Sequence, residues 1–256
     1  MHVDPAAEPF HAEAVPAADD GRRVGVLLVH GFTGTPSAVV PWGRHLAAQG
    51  LGVSVPLLPG HGTTWRELNR TRWEDWYGEV EGAFEKLRAD TDRVVVGGLS
   101  MGGALALRLA ARRSRDVAGL VLVNPAVHTE RKDVLALPVL KHVVPSFPAI
   151  GNDIRKPGVD EHAYSRTPLK AAHSMITGWQ RLRADLPRVT QPVLLFRSAV
   201  DHVVDASSVR ILRATLSSRD LEERVLENSY HVATLDHDAS SIFEESASFV
   251  RRVTRP

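Results

Sequence analysis

An α/β fold is what this sequence predicts: a mostly parallel central sheet flanked by helices, with a small inserted cap. Three observations predict it. Brief apolar runs rich in Val and Leu alternate with longer segments of helical character. Most of these runs end near Gly, Pro, Asn or Ser, as strands buried on both faces do. One long proline-rich stretch breaks the alternation and contains no convincing strand. Strand alternating with helix implies a parallel sheet covered on both faces.

In chain order, an early strand is expected at Phe10 to Val15 and a buried one at Val24 to Val29 (VGVLLV). Further strands are expected at Gly52 to Pro56, Arg93 to Val96, Gly119 to Val123 and Val193 to Phe196, with a more polar one at Glu223 to Leu226. Between them, Ser37 to Gln49 follows a Thr-Pro turn and has helical character. Trp73, Trp76, Tyr77, Val80, Phe84 and Leu87 recur near a 3.6-residue period and predict a helix from Trp73 to Leu87. Met101 to Arg112 is almost wholly Ala and Leu and predicts a buried helix; Ala206 to Leu216 and Ala239 to Val253 complete the set. Prolines at 125, 138, 145, 148, 157, 168 and 187 punctuate the stretch between two expected strands. It reads as a cap of short helices and loops. The expected division is therefore core over 1–124, cap over 125–189, core again over 190–256.

The 256 residues suit one larger domain, or a core with a modest insertion. Basic and acidic residues number 31 and 30, a net charge of +1, which gives no reason to expect nucleic acid as a partner. There are no cysteines, which excludes disulfides, thiolate catalysis and cysteine-based zinc sites and fits a cytoplasmic location. Met1 to Asp20 lacks the basic start and apolar run of a secretory signal, and its first eight or so residues read as a loose arm. No apolar stretch reaches the roughly 18 residues of a membrane span, and no amphipathic segment is long enough for a stable membrane anchor. Nothing in the sequence speaks to oligomeric state.

The strongest local signal is Gly98-Leu99-Ser100-Met101-Gly102, set between an expected strand and an expected helix. That context turns G-x-S-x-G into a nucleophile elbow: the serine sits on a sharp turn with its hydroxyl exposed above the sheet. The glycines are needed because strand and helix approach closely there. The second signal, His30-Gly31-Phe32-Thr33-Gly34, follows the strand ending at Val29. Its Phe32 N–H, with that of Met101 at the helix start, can form an oxyanion hole; His30 itself reads as structural.

A serine nucleophile needs a base, and the base needs an orienting carboxylate. This order along the chain is Ser, Asp/Glu, His. Asp201 stands just past the strand ending at Phe196; Asp205 competes, but also suits the cap of the following helix. His231 follows the last strand, with His202 and His237 as competitors among 12 histidines. Asp236-His237-Asp238 has a metal-like look but reads better as the start of the last helix. No metal site or cofactor is expected, since no His-Glu-x-x-His, phosphate loop or dinucleotide fingerprint occurs. Trp65, Trp73 and Trp76 read as core packing, with a substrate wall as the alternative.

The stretches HGFTGTP (His30 to Pro36), PLLPGHG (Pro56 to Gly62), GLSMGG (Gly98 to Gly103) and SYHVATLDHD (Ser229 to Asp238) resemble bacterial monoacylglycerol lipases and their sister carboxylesterases. The resemblance runs from about Phe10 to the C-terminus. It implies an α/β-hydrolase core with a small cap between the sixth and seventh strands. It also implies Ser100, Asp201 and His231 as a triad, and Phe32 and Met101 as oxyanion donors. In the cap it implies that Glu161 accepts hydrogen bonds from glycerol hydroxyls, with Ile150 and Asn152 nearby; without it, Glu161 could equally be a surface carboxylate. The chain departs from the pattern at His162, where an apolar residue is expected. The implied substrate is a monoacylglycerol, met by transient contact with lipid aggregates. The alternatives are a general carboxylesterase, a catalytically silent binding module, and cofactor-free perhydrolysis or haloperoxidase-like chemistry on the same fold.

Overall fold

The computed structural model describes residues 4–255. Its elements are β1 (Phe10–Ala12), β2 (Val24–Val29), α1 (Val40–Ala47), β3 (Gly52–Val55), α2 (Trp65–Leu68), α3 (Trp73–Ala89), β4 (Arg93–Leu99), α4 (Met101–Arg112) and β5 (Val117–Val123). Then come α5 (Leu137–Val143), β6 (Ser146–Pro148), β7 (Arg166–Pro168), α6 (Leu169–Asp185), β8 (Val193–Ser198), α7 (Ser207–Thr215), β9 (Leu221–Leu226) and α8 (Ala239–Thr254).

Seven strands form one sheet in the order β1-β3-β2-β4-β5-β8-β9. Only β1 runs antiparallel to its neighbour. Successive side chains of a strand point to opposite faces, so a run such as VGVLLV feeds two cores at once. Leu27 and Val29 of β2 pack with α3 and α4 through Trp76, Val80 and Leu105. Val26 and Leu28 pack with α1 and α8 through Trp42, Leu46, Ile242 and Phe249. From β2 the chain moves outward to β3, then returns to the other side of β2 as β4. That reversal leaves a crevice at the carboxyl ends of β2 and β4, where ligands bind in open α/β sheets.

Several expectations are corrected. The early strand spans only Phe10–Ala12, because the backbone beyond it turns away to bond elsewhere, as where Val15 N–H donates to Gly50 O. Of the first eight residues, 1–3 lie outside the described residues, but Asp4 to Ala7 are docked: Asp4 N–H donates to Gly62 O at 2.9 Å and Ala7 is fully buried. The stretch after β5 does contain strands, β6 and β7, paired antiparallel. Its second helix, α6, is long, 17 residues, because Leu169, Ala172, Trp179 and Leu182 give it a buried stripe. This stretch falls between the fifth and sixth strands of the main sheet, one place earlier than expected, because a single strand precedes β2. Among the described residues no helix is long and apolar enough to cross a membrane.

Candidate active site

Ser100 joins β4 to α4 at φ 55° and ψ −117°, a conformation that a side chain adopts only when its surroundings impose it. The surroundings here are glycines. A Cβ on Gly98 would lie 2.3 Å from the carbonyl carbon of Gly102, and one on Gly102 only 2.0 Å from Val29 O. Strand, elbow and helix therefore touch backbone to backbone. Met101 opens α4, so its N–H has no intrahelical acceptor. Gly31, after β2, faces the elbow: a Cβ there would meet that of Ser100 at 3.5 Å. Phe32 follows, its ring 5.6 Å from that of Trp76.

His30 is fully buried, accepts Leu58 N–H at Nε2 (3.2 Å) and so donates from Nδ1 to Gly31 O (2.9 Å). Burial lowers its pKa to about 4, so it is a neutral brace for the loop. His61 of the PLLPGHG stretch packs edge-on against it at 5.0 Å and is likewise held neutral by burial.

The loops after β8 and β9 bring Asp201 and His231 together. Asp201 Oδ2 accepts His231 Nδ1–H at 2.8 Å, while its Oδ1 accepts Val203 and Val204 N–H, both at 2.8 Å. Burial alone would raise the Asp201 pKa, but His231 and these N–H groups hold it below the ordinary value. Burial alone would lower the His231 pKa; Asp201, then Glu161 and Asp153, outweigh it, and the pKa stands above 6.5. Ser100 and His231 line one pocket of about 570 Å³; among the described residues no hydrogen bond joins them. Such bonds are often long before substrate is bound.

The competitors fall elsewhere. Asp205 accepts Ser207 N–H (3.0 Å) and Glu130 N–H (2.8 Å) at the start of α7. His202 is half exposed and bonds Asp153 Oδ1 at 2.7 Å. His237 is exposed. Asp236 is buried and accepts four backbone N–H groups, from Arg155, Lys156, Tyr230 and His237. Among the described residues no group of His, Asp and Glu could hold a metal ion. Trp73 and Trp76 are core, and neither they nor Trp65 line the pocket; the tryptophan that does is Trp179 of α6.

Glu161 and Ile150 also line the pocket. Glu161 Oε1 accepts Asn152 N–H (2.7 Å), and Glu161 N–H donates to Asn152 Oδ1 (2.9 Å). Glu161 Oε2 lies toward the loop after β2, 3.8 Å from where a Cβ on Gly34 would stand, and burial raises the pKa of this carboxyl. His162, with φ 54°, faces outward near Asp4 and is absent from the pocket wall. The pocket's apolar lining includes Leu137 and Leu140 of α5 and Leu169, Met175 and Trp179 of α6.

Sequence reasoning missed two residues that hold the His231 backbone. Asn124, buried at the end of β5 with φ 44°, donates from Nδ2 to His231 O (2.8 Å) and accepts Ser198 N–H at Oδ1 (2.8 Å). Asp153 Oδ2 accepts His231 N–H (3.1 Å) and His202 N–H (3.2 Å). The one available signal was a polar residue just past an apolar strand, at Asn124; nothing local marks Asp153.

Comparison with known proteins places the chain among lipolytic enzymes and esterases by similarity. A thermostable monoacylglycerol lipase of Bacillus sp. (strain H-257) is 39% identical over 247 residues, covering 95% of this chain and 94% of that protein. A carboxylesterase of Bacillus subtilis (strain 168) is 26% identical over 237 residues, covering 91% and 94%. A solved structure from work on the metagenome-derived lipolytic enzymes LipS and LipT superposes with a TM-score of 0.92 at 37% identity, covering 98% of this chain and all of that one. The family Hydrolase_4, described as serine aminopeptidase, S33, matches residues 21–238. The chain belongs to this family of serine hydrolases and has the α/β-hydrolase fold.

Proposed function

We propose that this protein hydrolyses monoacylglycerols to glycerol and free fatty acid through an acyl-enzyme on Ser100. His231 takes the Ser100 proton as Oγ attacks the ester carbonyl, and Asp201 stabilises the imidazolium that forms. The N–H groups of Phe32 and Met101 receive the oxyanion. The proton then passes to the leaving glycerol oxygen, and water, activated by His231, releases the acid. Residues 125–189 act as a cap whose α5 and α6 wall the acyl chain. Its exposed Leu135, Val139, Val143 and Phe147 suit brief contact with lipid aggregates. A cytoplasmic location, checked by fractionation, belongs to the same proposal.

The observation that carries the glycerol reading is Glu161: one carboxylate oxygen is fixed by Asn152 and the other turns toward the proposed oxyanion loop, in the same pocket as Ser100 and His231. A site built to bond hydroxyls rejects esters lacking them more strongly than an apolar pocket rejects extra methylenes. The test compares kcat/KM for a medium-chain monoacylglycerol and its ethyl ester in wild type and Glu161→Gln, with Ser100→Ala as blank. A preference for the glycerol ester that Glu161→Gln reduces about tenfold supports the proposal. Equal losses on both esters would favour a general carboxylesterase, a reading that has in its favour the bond already made to Glu161 by Asn152.

A further inference from the structure

The loop over residues 149–153 does more than line the pocket, because its Asp153 also bonds the loops that carry Asp201 and His231. Its side chain is only 9% exposed. Oδ2 accepts the N–H groups of His231 (3.1 Å) and His202 (3.2 Å), the latter adjoining Asp201 in sequence. Oδ1 accepts His202 Nδ1–H (2.7 Å), and the Asp153 carbonyl accepts Val232 N–H (3.1 Å). One residue thus bridges both loops. We propose that Asp153 is a positioning residue for His231: by bonding the backbone of both loops at once, it sets the imidazole against Asp201 and makes the base depend on the cap being seated.

This inference rests on His231 being the base. Three lines of physical reasoning support it. A buried carboxylate that accepts two N–H groups and an imidazole N–H holds geometry more firmly than neutral bonds would. His231 has its carbonyl fixed from the core by Asn124 and its N–H fixed from the cap by Asp153, so the cap supplies half of its anchoring. The neighbour of Asp153, Asn152, is paired reciprocally with Glu161, so the residue that holds the base adjoins in sequence the partner of the carboxylate proposed to face the substrate head group.

The charged groups facing His231 are Asp201 from the loop after β8, and Glu161 and Asp153 from the cap. All three favour the imidazolium, so removing one lowers the His231 pKa and moves the acid limb of the activity profile to lower pH.

The test uses any ester that the wild type cleaves, so it does not depend on glycerol selection, and Asp201→Asn and Ser100→Ala report separately on the triad. D153N should lower kcat about 10- to 100-fold with KM little changed, and should shift the acid limb downward. D153E, which keeps the charge but misplaces it, should lower kcat and leave the limb in place. H202Q, which keeps the bond to the His231 N–H, should retain kcat within about threefold. In the wild type the His231 amide should exchange slowly with solvent hydrogen, a result independent of how the variants fold. Wild-type kcat in D153N would overturn the proposal. So would a loss of thermal stability with an unmoved acid limb, or a freely exchanging His231 amide.

Discussion

The two sides of the pocket are held by different forces. On the side of the proposed nucleophile, the loop after β2 and the elbow after β4 are held by close packing and neutral hydrogen bonds: glycines in backbone contact, the ring of Trp76 behind Phe32, and a neutral His30 bonded to Gly31 and Leu58. On the base side, the loops after β8 and β9 are held by carboxylates. Asp201, Asp153 and Asp236 together accept backbone N–H groups from Val203, Val204, His202, His231 and Tyr230. Close packing is intolerant of a single added methyl, and on this side acid acts only through the buried His30. Carboxylate locking tolerates volume but needs ionised groups. His30 and His231 show the contrast on one side-chain type: both are buried, yet the first has its pKa lowered and the second raised, because only the second faces carboxylates.

The sharpest break on the base side is Asp201→Asn. It keeps shape but removes the charge that fixes the His231 tautomer, and kcat should fall about 10⁴-fold. The protein should stay folded, with its unfolding free energy unaltered to within about 1 kcal/mol. A variant with a tenth or more of wild-type kcat would remove Asp201 from the triad. On the nucleophile side, Gly102→Ala drives a methyl into Val29 O and should destabilise by about 3 kcal/mol or more, read by urea denaturation. Near-wild-type stability would show that the elbow relaxes and that sterics do not hold it.

The steric side was the more legible one. Gly98, Gly102 and Gly31 stand within a few residues of Ser100 or of a strand end, so local spacing exposed the elbow and the proposed oxyanion loop. Asp201 and His231 stood out as candidates because each follows a strand, and the fold brings them within hydrogen-bond distance. What fixes them was hidden, since Asp153 and Asn124 act across 78 and 107 residues of chain. The same limit explains the cap. Recurring prolines suggested short helices and loops, while the apolar stripe of α6 between Pro168 and Pro187 was present in the sequence and overlooked. Strands β6 and β7, three residues each, have too few side chains to show a period.

The third expectation concerns protons. His30 is neutral in the fold to about pH 4 but takes a proton near 6.5 when unfolded. Its stabilisation is therefore complete above about pH 6.5 and is lost as the pH falls toward 4, roughly 3 kcal/mol in all. His231 has the opposite sign: its contribution is present below 6.5 and fades as pH rises through its raised folded value. For the same reason activity should rise with pH along a limb lying above 6.5, since the proposed base is the neutral imidazole. Ring nitrogen shifts separate the two histidines directly. A His30 that titrates near 6.5, or a His231 that titrates below it, would erase the contrast.

The smallest expected effect is the most selective. Asp205 lies four residues from Asp201, also follows β8, and is also a carboxylate that accepts backbone N–H groups. The difference is direction: Asp201 turns an oxygen to His231, whereas Asp205 spends both of its oxygens on Ser207 and Glu130. Asp205→Ala should lower stability by about 1 kcal/mol, as loss of a helix-start acceptor does. It should leave kcat within about twofold and the acid limb in place, because no oxygen of Asp205 reaches the imidazole. Thermal denaturation alongside a pH–rate profile reads both quantities. A fall in kcat of the size expected for Asp201→Asn would reassign the acid to Asp205, and the short distance between Asp201 and His231 would then be a packing contact rather than the link that sets the base.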